Sequence, residues 1–139
     1  MKLLPYLNFN GNCAQAIAFY EKAFGAKAMV LCYKDALKYD PTCKIDKGKE
    51  KWVMHANMNL TDGEMIQFAD CEENGKAVGT NICLQLTYNT ADEVRLIFNA
   101  LKSGGRIICD AQPTFYSPMY AELVDKFGIR WSIMQEMQA

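Results

Sequence analysis

The chain has 139 residues, with fifteen Lys and Arg against sixteen Asp and Glu and a formal net charge of −1. A chain of this size hides about two-thirds of the surface its unfolded form exposes, so one core needs no metal or disulfide staple. Half the residues are hydrophobic and 12% are aromatic, which excludes a wholly disordered chain. The balanced charge leaves no field to hold a polyanion, and nucleic acid is not an expected partner.

Met1-Lys2-Leu3-Leu4 leads at once into Pro5 and Asn8. No apolar signal core is expected from it, and no run approaches the ~20 residues of a membrane span, so no membrane partner is expected either. The six cysteines (Cys13, Cys32, Cys43, Cys71, Cys83, Cys109) are widely spaced and form no CxxC pair. They read as reduced, small core residues of a cytoplasmic protein. GxGxxG, Walker and GxSxG patterns are absent, and one histidine, His55, cannot furnish a two-histidine zinc helix.

In chain order, Leu3 to Phe9 reads as a strand, broken by Asn10-Gly11-Asn12, with Asn12 as the expected N-cap. From Cys13 to Phe24 apolar residues recur at helical spacing, and Gly25 ends the stripe as a left-handed C-terminal residue would. Lys27 to Tyr33 is a strand, and Asp35 to Glu50, with Pro41 and a cluster of charges, is the best candidate for a mobile loop. Lys51 to Leu60 alternates, so that His55, Asn57 and Asn59 point one way and Ala56 and Met58 the other. The Asp62-Gly63 pair marks a hairpin turn before a strand from Met65 to Ala69.

After a polar break from Asp70 to Gly79 the order restarts. Asn81 to Thr87 is a strand, Thr90 with Glu93 forms a capping-box pattern, and Val94, Ile97, Phe98 and Leu101 make a second helical stripe stopped by Gly104-Gly105. Arg106 to Cys109, Tyr120 to Val124 and Ile129 to Gln135 read as strands, with a loop from Pro113 to Pro118. A 77-residue offset lays Ile17 on Val94 and Phe24 on Leu101. The pattern β-α-β-β-β therefore occurs twice, which predicts an α+β fold: one domain over 1–139 made of two tandem βαβββ modules, about 1–72 and 80–139. Their curved mixed sheets would sit around a cleft suited to a small ligand.

Pro5-Tyr6-Leu7-Asn8-Phe9-Asn10-Gly11-Asn12, Ala18-Phe19-Tyr20 and Phe24-Gly25 resemble the opening of PhnB-like proteins, of the glyoxalase/bleomycin resistance/extradiol dioxygenase (vicinal oxygen chelate) superfamily. Val53-Met54-His55-Ala56, Gly63-Glu64-Met65-Ile66-Gln67-Phe68-Ala69-Asp70, Phe98-Asn99-Ala100-Leu101 and Asp125-Lys126-Phe127-Gly128-Ile129-Arg130-Trp131 extend the similarity through nearly the whole chain. The resemblance implies paired βαβββ modules, often in a homodimer. It also carries the label 3-demethylubiquinone methyltransferase-like, although nothing in the sequence resembles a cofactor-binding methyltransferase fold.

Catalytic members of that superfamily hold a divalent metal with His, Glu or Gln side chains from the first, fourth, fifth and eighth strands. The resemblance places those positions at Pro5, Gln67, Asn81 and Ser132. Proline offers no side-chain donor, and neutral serine or asparagine oxygens are poor ligands for Zn, Ni or Fe. No cofactor is expected.

Histidine is the residue type that titrates near neutrality, so His55 is the one obvious general acid or base. With Asn57 on the same side, and Gln67 on the neighbouring strand, it would orient a polar ligand; the alternative is a hydrogen-bonded histidine supporting the sheet. Tyr6, Phe115, Tyr116 and Trp131 either line an apolar pocket or fill a core. Thr114-Phe115-Tyr116-Ser117-Pro118 suits a lid. Glu64, Asp70 and Asp125 read as solvated turn charges. The leading expectation is a metal-free homodimer binding a small apolar or aromatic molecule. The alternatives are an enzyme acting on a small metabolite through His55, and a divalent-metal-dependent lyase or dioxygenase.

Overall fold

The computed structural model describes residues 1–72, 79 and 81–137, which leaves most of the polar break expected from Asp70 to Gly79 outside the described residues. The chain divides into two compact units, Met1–Ala77 and Val78–Ala139. The first contains β1 (Tyr6–Phe9), α1 (Cys13–Phe24), β2 (Ala28–Cys32), β3 (Val53–Asn59) and β4 (Met65–Asp70). The second contains β5 (Leu84–Tyr88), α2 (Ala91–Leu101), β6 (Arg106–Thr114), β7 (Ser117–Val124) and β8 (Arg130–Gln135). The sheets are four-stranded, ordered β1-β4-β3-β2 and β5-β8-β7-β6. In each, the first and last strands of the unit pair in parallel and the remaining pairs are antiparallel. The architecture is the expected α+β fold of two mixed sheets.

Strand alternation decides what each helix covers. In the first unit Leu7, Phe9, Ala56, Met58, Ile66 and Phe68 are buried at alternate positions, and α1 buries Ala16, Ile17 and Tyr20. The Tyr20 ring stacks on Phe68 at 5.9 Å between centroids, which docks the helix on β4. In the second unit α2 buries Val94, Ile97, Phe98 and Leu101, while Met119, Ala121, Leu123, Trp131 and Ile133 are buried on β7 and β8. Thr90 caps α2 by accepting the Glu93 N–H at 3.2 Å.

Helix α1 is capped differently from the sequence expectation. Asn12 makes no side-chain cap hydrogen bond. Its place is taken by Asp70 at the end of β4, whose Oδ1 accepts the N–H groups of Gly11 at 2.8 Å and Cys13 at 3.1 Å. A carboxylate satisfies orphan donors and meets the positive end of the helix dipole, which a neutral amide does not. Asp70 Oδ2 also accepts the Val53 N–H at 2.9 Å, so one side chain fixes β3, β4 and α1 together. Asp70 and Asp125 are each 3% exposed, not solvated turn charges.

Three further expectations change. Tyr33–Lys38 forms a 3-10 helix that takes the last residue of the expected strand and the first residues of the expected loop, and Asp35 Oδ2 accepts the Cys32 N–H at 2.9 Å at its start. The Pro113–Pro118 loop is a tight hairpin: β6 runs to Thr114, β7 starts at Ser117, and only Phe115 and Tyr116 lie between them. Because β6 is an edge strand, Pro113 costs it no essential ladder bond and does not end it. Of the six cysteines only Cys13 is buried; Cys83 is exposed and the others are intermediate. The Asp-Gly hairpin is as expected, with Asp62 at φ 58° and Gly63 at φ 82°, the left-handed pair that such a turn requires.

Candidate functional site

The β3–β4 turn sets the register from which the site is built. It places Asn57 opposite Gln67, and the parallel β1–β4 pairing places Tyr6 opposite Gln67. The Pro5 carbonyl accepts the Gln67 N–H at 3.0 Å and anchors the start of β1. Across the sheet Leu31 pairs with His55, and Met29 with Asn57. These residues stand at the positions alternate to the helix-covered ones, so they share the sheet face opposite α1.

On that face the Tyr6 hydroxyl lies 3.0 Å from His55 Nδ1, with the ring centroids 5.7 Å apart at 58°. Because β4 lies between β1 and β3, the phenol reaches across a strand to make this contact. Tyr6 is 43% exposed. Among the described residues the Asn57 amide has no hydrogen-bond partner, and the Gln67 amide has only a weak one, donating to Met65 Sδ at 3.9 Å. Asp, Glu, Lys and Arg are missing from the face positions on β1 to β4.

Four of the residues singled out in the sequence, Tyr6, His55, Asn57 and Gln67, are therefore brought together. The other three belong to the second unit and do not form an aromatic lining with one another. Trp131 is 1% exposed and its indole N–H donates to Asp125 Oδ2 at 2.8 Å, so its ring belongs to the core and not to a pocket wall. Phe115 is 93% exposed at the hairpin tip. Tyr116 packs edge-on against both Phe115 at 5.0 Å and Tyr120 at 5.3 Å. With two residues between paired strands, this tip is a turn and not a lid.

A polar cluster in the second unit escaped the sequence reading. Glu122 pairs opposite Ser132 across β7 and β8, and Gln85 pairs with Ser132 across β5 and β8. Glu122 Oε1 accepts Arg130 Nε–H at 2.6 Å, and Glu122 Oε2 accepts the Tyr120 hydroxyl at 3.1 Å. The Ser132 hydroxyl reaches the Tyr120 oxygen at 3.5 Å. Burial, helped by the Glu122 carboxylate and opposed by the Ser132 hydroxyl, leaves the Tyr120 phenol above its ordinary pKa. Burial also raises the Cys83 thiol, helped by Glu122 and opposed by Arg130 and the Ser132 backbone. The available signal was a lone carboxylate inside the apolar run Tyr120-Ala121-Glu122-Leu123-Val124.

The donor set does not fit a transition metal. Pro5 supplies only a backbone carbonyl, already bonded to Gln67, and the Ser132 hydroxyl is engaged with Tyr120. Among the described residues no three of His, Cys, Asp or Glu stand together as a metal site. A dinucleotide or methyl-donor site of the doubly wound kind does not fit either. Such sites need a switch point among parallel strands with helices on both faces, and among the described residues each sheet has one parallel pair and one α-helix. No helix among the described residues is long and apolar enough to cross a membrane.

Residues 1–134 match the family model described as 3-demethylubiquinone-9 3-methyltransferase. The protein YjdN of Escherichia coli (strain K12) is 32% identical over 142 residues, covering 96% of this chain and 94% of that protein. A solved structure from Bacillus cereus, a putative 3-demethylubiquinone-9 3-methyltransferase, PhnB protein, superposes with a TM-score of 0.74 at 24% identity over 97% of this chain and 99% of its own. A glyoxylase/bleomycin resistance protein/dioxygenase domain from Frankia sp. EAN1pec gives a TM-score of 0.69 at 11% identity, covering 100% of this chain and 94% of its own. Those two structural likenesses bear on the fold.

Proposed function

Because the chain belongs to the family described by the 3-demethylubiquinone-9 3-methyltransferase model, and shares its fold with a glyoxylase/bleomycin resistance protein/dioxygenase domain, we propose that it binds a small apolar or aromatic molecule without a metal. The observation that carries this reading is the sheet face of β1, β3 and β4. There a Tyr6–His55 hydrogen bond stands beside the amides of Asn57 and Gln67, and uncharged side chains surround them. A few convergent polar groups on an apolar ground are what orient a small ligand. Met29 and Leu31 on β2 supply part of that ground.

The test is a thermal-shift panel of small aromatic and aliphatic compounds, run beside elemental analysis of protein purified without chelator. The expected result is a ligand that raises Tm in the parent but not in Tyr6→Ala or His55→Ala, with no stoichiometric transition metal. A bound metal ion, or binding indifferent to both substitutions, overturns the reading.

The same hydrogen bond favours a second reading, proton transfer on a small metabolite with His55 as acid or base, since a positioned imidazole is its usual vehicle. His55→Gln then abolishes turnover; an unchanged rate removes it. A homodimer belongs to the proposal as well, supported by the exposed apolar side chains Met29 and Val30 on edge strand β2 and Ile107 and Ile108 on edge strand β6. Light scattering at dimer mass is the expected result. The wide cysteine spacing supports a cytoplasmic setting.

A further inference from the structure

We infer that Tyr6 fixes the tautomer of His55, so that the face presents an imidazole Nε2–H donor and selects a neutral carbonyl compound with an apolar body. The inference rests on the ligand-binding reading above and names the class of ligand. Its basis is the 3.0 Å contact between the Tyr6 hydroxyl and His55 Nδ1. Either partner of such a contact can donate, but the two arrangements are unequal. A phenol, titrating at about 10, is a good donor, and the unprotonated nitrogen of a neutral imidazole, titrating at about 6.5, is a far better acceptor than a phenolic oxygen. The hydroxyl therefore donates to Nδ1, and the ring proton resides on Nε2.

Among the described residues Nε2 has no hydrogen-bond partner, and His55 is only half-buried. A donor fixed in this way rewards a ligand oxygen and penalises a ligand that presents a proton in its place. The charge pattern narrows the class. Neither Lys nor Arg stands at the face positions on β1 to β4, so a carboxylate seated there would lose hydration without gaining a cationic partner. A ketone, aldehyde, ester or amide oxygen costs much less to desolvate. Met29, Leu31 and Met65 and the half-exposed Tyr6 ring suit an apolar remainder. Tyr6 is thus a positioning residue: it acts on the ligand through His55.

His55 is the one histidine in the chain, so labelling with [15N]histidine gives a single pair of ring nitrogens to read. Long-range 1H–15N correlation at a pH where the ring is neutral is expected to show Nδ1 unprotonated and Nε2 protonated. Tyr6→Phe is expected to relax this to a mixture while leaving the fold intact by circular dichroism. A protonated Nδ1 in the parent, or no change in Tyr6→Phe, overturns the tautomer assignment without touching the ligand-binding reading.

The ligand class is tested on the same signals with acetophenone, its isostere α-methylstyrene, and benzoate. Acetophenone is expected to shift Nε2–H and to bind about tenfold more tightly than α-methylstyrene, the worth of one hydrogen bond, with benzoate weakest. The preference shrinks in Tyr6→Phe. Equal binding of the isosteres, or benzoate binding tightest, overturns the carbonyl class and leaves the apolar site standing; no shift with any of the three overturns both.

Discussion

Asp70 and Cys13 are 57 residues apart in sequence, yet the carboxylate of the first accepts the backbone N–H of the second at 3.1 Å, at the point where α1 begins. The same side chain holds Gly11 and Val53. Removing it leaves three backbone donors without their acceptor. Asp70→Ala is expected to lower unfolding stability by about 3 kcal/mol, since each buried unsatisfied group costs 1–3 kcal/mol and the three share one rearrangement. Urea unfolding followed by circular dichroism checks it, and a loss under about 1 kcal/mol would show that water replaces the carboxylate.

Cys13 gives a dependence on pH. Burial, reinforced by the neighbouring Asp70 charge, raises its thiol from 9.0 to about 12. A thiol harder to ionise in the folded than in the unfolded state stabilises the fold fully below the unfolded pKa, and that contribution is lost as pH rises from about 9 towards the folded value. The stability gap between the parent and Cys13→Ala is therefore constant below pH 9 and narrows above it. Denaturant titrations at pH 7, 9 and 10.5 measure this; a gap that is flat throughout contradicts it.

Two glycines separate close packing from backbone strain. A Cβ on Gly105 would fall inside the contact distance of the Val124 carbonyl oxygen and 3.0 Å from Asp125 Cα, both main-chain atoms that cannot swing aside. Gly25, at φ 63°, has open space around it and only an unfavourable backbone conformation. Gly105→Ala should cost ~3 kcal/mol, and Gly25→Ala about 1 kcal/mol. Thermal melts of the two variants rank them, and the reverse order would be a failure.

Glu122→Gln keeps the shape of the β7 side chain but removes the charge that meets Arg130. Arg130 is partly exposed, which reduces the cost, and a loss of about 1–2 kcal/mol is expected. The loss should shrink in an Arg130→Met background, where the cation that meets Glu122 is already gone. A double-mutant cycle reads that coupling directly.

Phe115→Ser, by contrast, should change stability by no more than about 0.5 kcal/mol, because an exposed hairpin tip gives up little burial. Chemical denaturation would detect a larger effect.

What the sequence made legible follows from the range of the interactions involved. α1 could be read residue by residue because its apolar stripe and Gly25 are local signals. The face holding Tyr6, His55, Asn57 and Gln67 could be read because strand alternation has period two and Asp62-Gly63 sets the turn. The cap on α1 could not, since its acceptor lies 57 residues from Cys13 in sequence and reaches it only through the β1–β4 pairing. Nor could the Glu122–Arg130 pair, which depends on the register between β7 and β8. Trp131 stays open between pocket wall and core in the sequence, although Ile129 and Ile133 on either side of it mark the apolar side of the strand. Its single polar atom is satisfied by Asp125, which removes any need for the ring to face a ligand.

The burial of that indole has a practical consequence. Trp52 lies in the first unit and Trp131 in the second, one fluorophore in each. Replacing either by phenylalanine leaves a single tryptophan, so with excitation selective for indole the spectral maximum of each variant follows the loss of order in one half of the polypeptide alone. Coincident transitions would mean that the halves unfold as a single cooperative body; separated ones would give each half its own free energy.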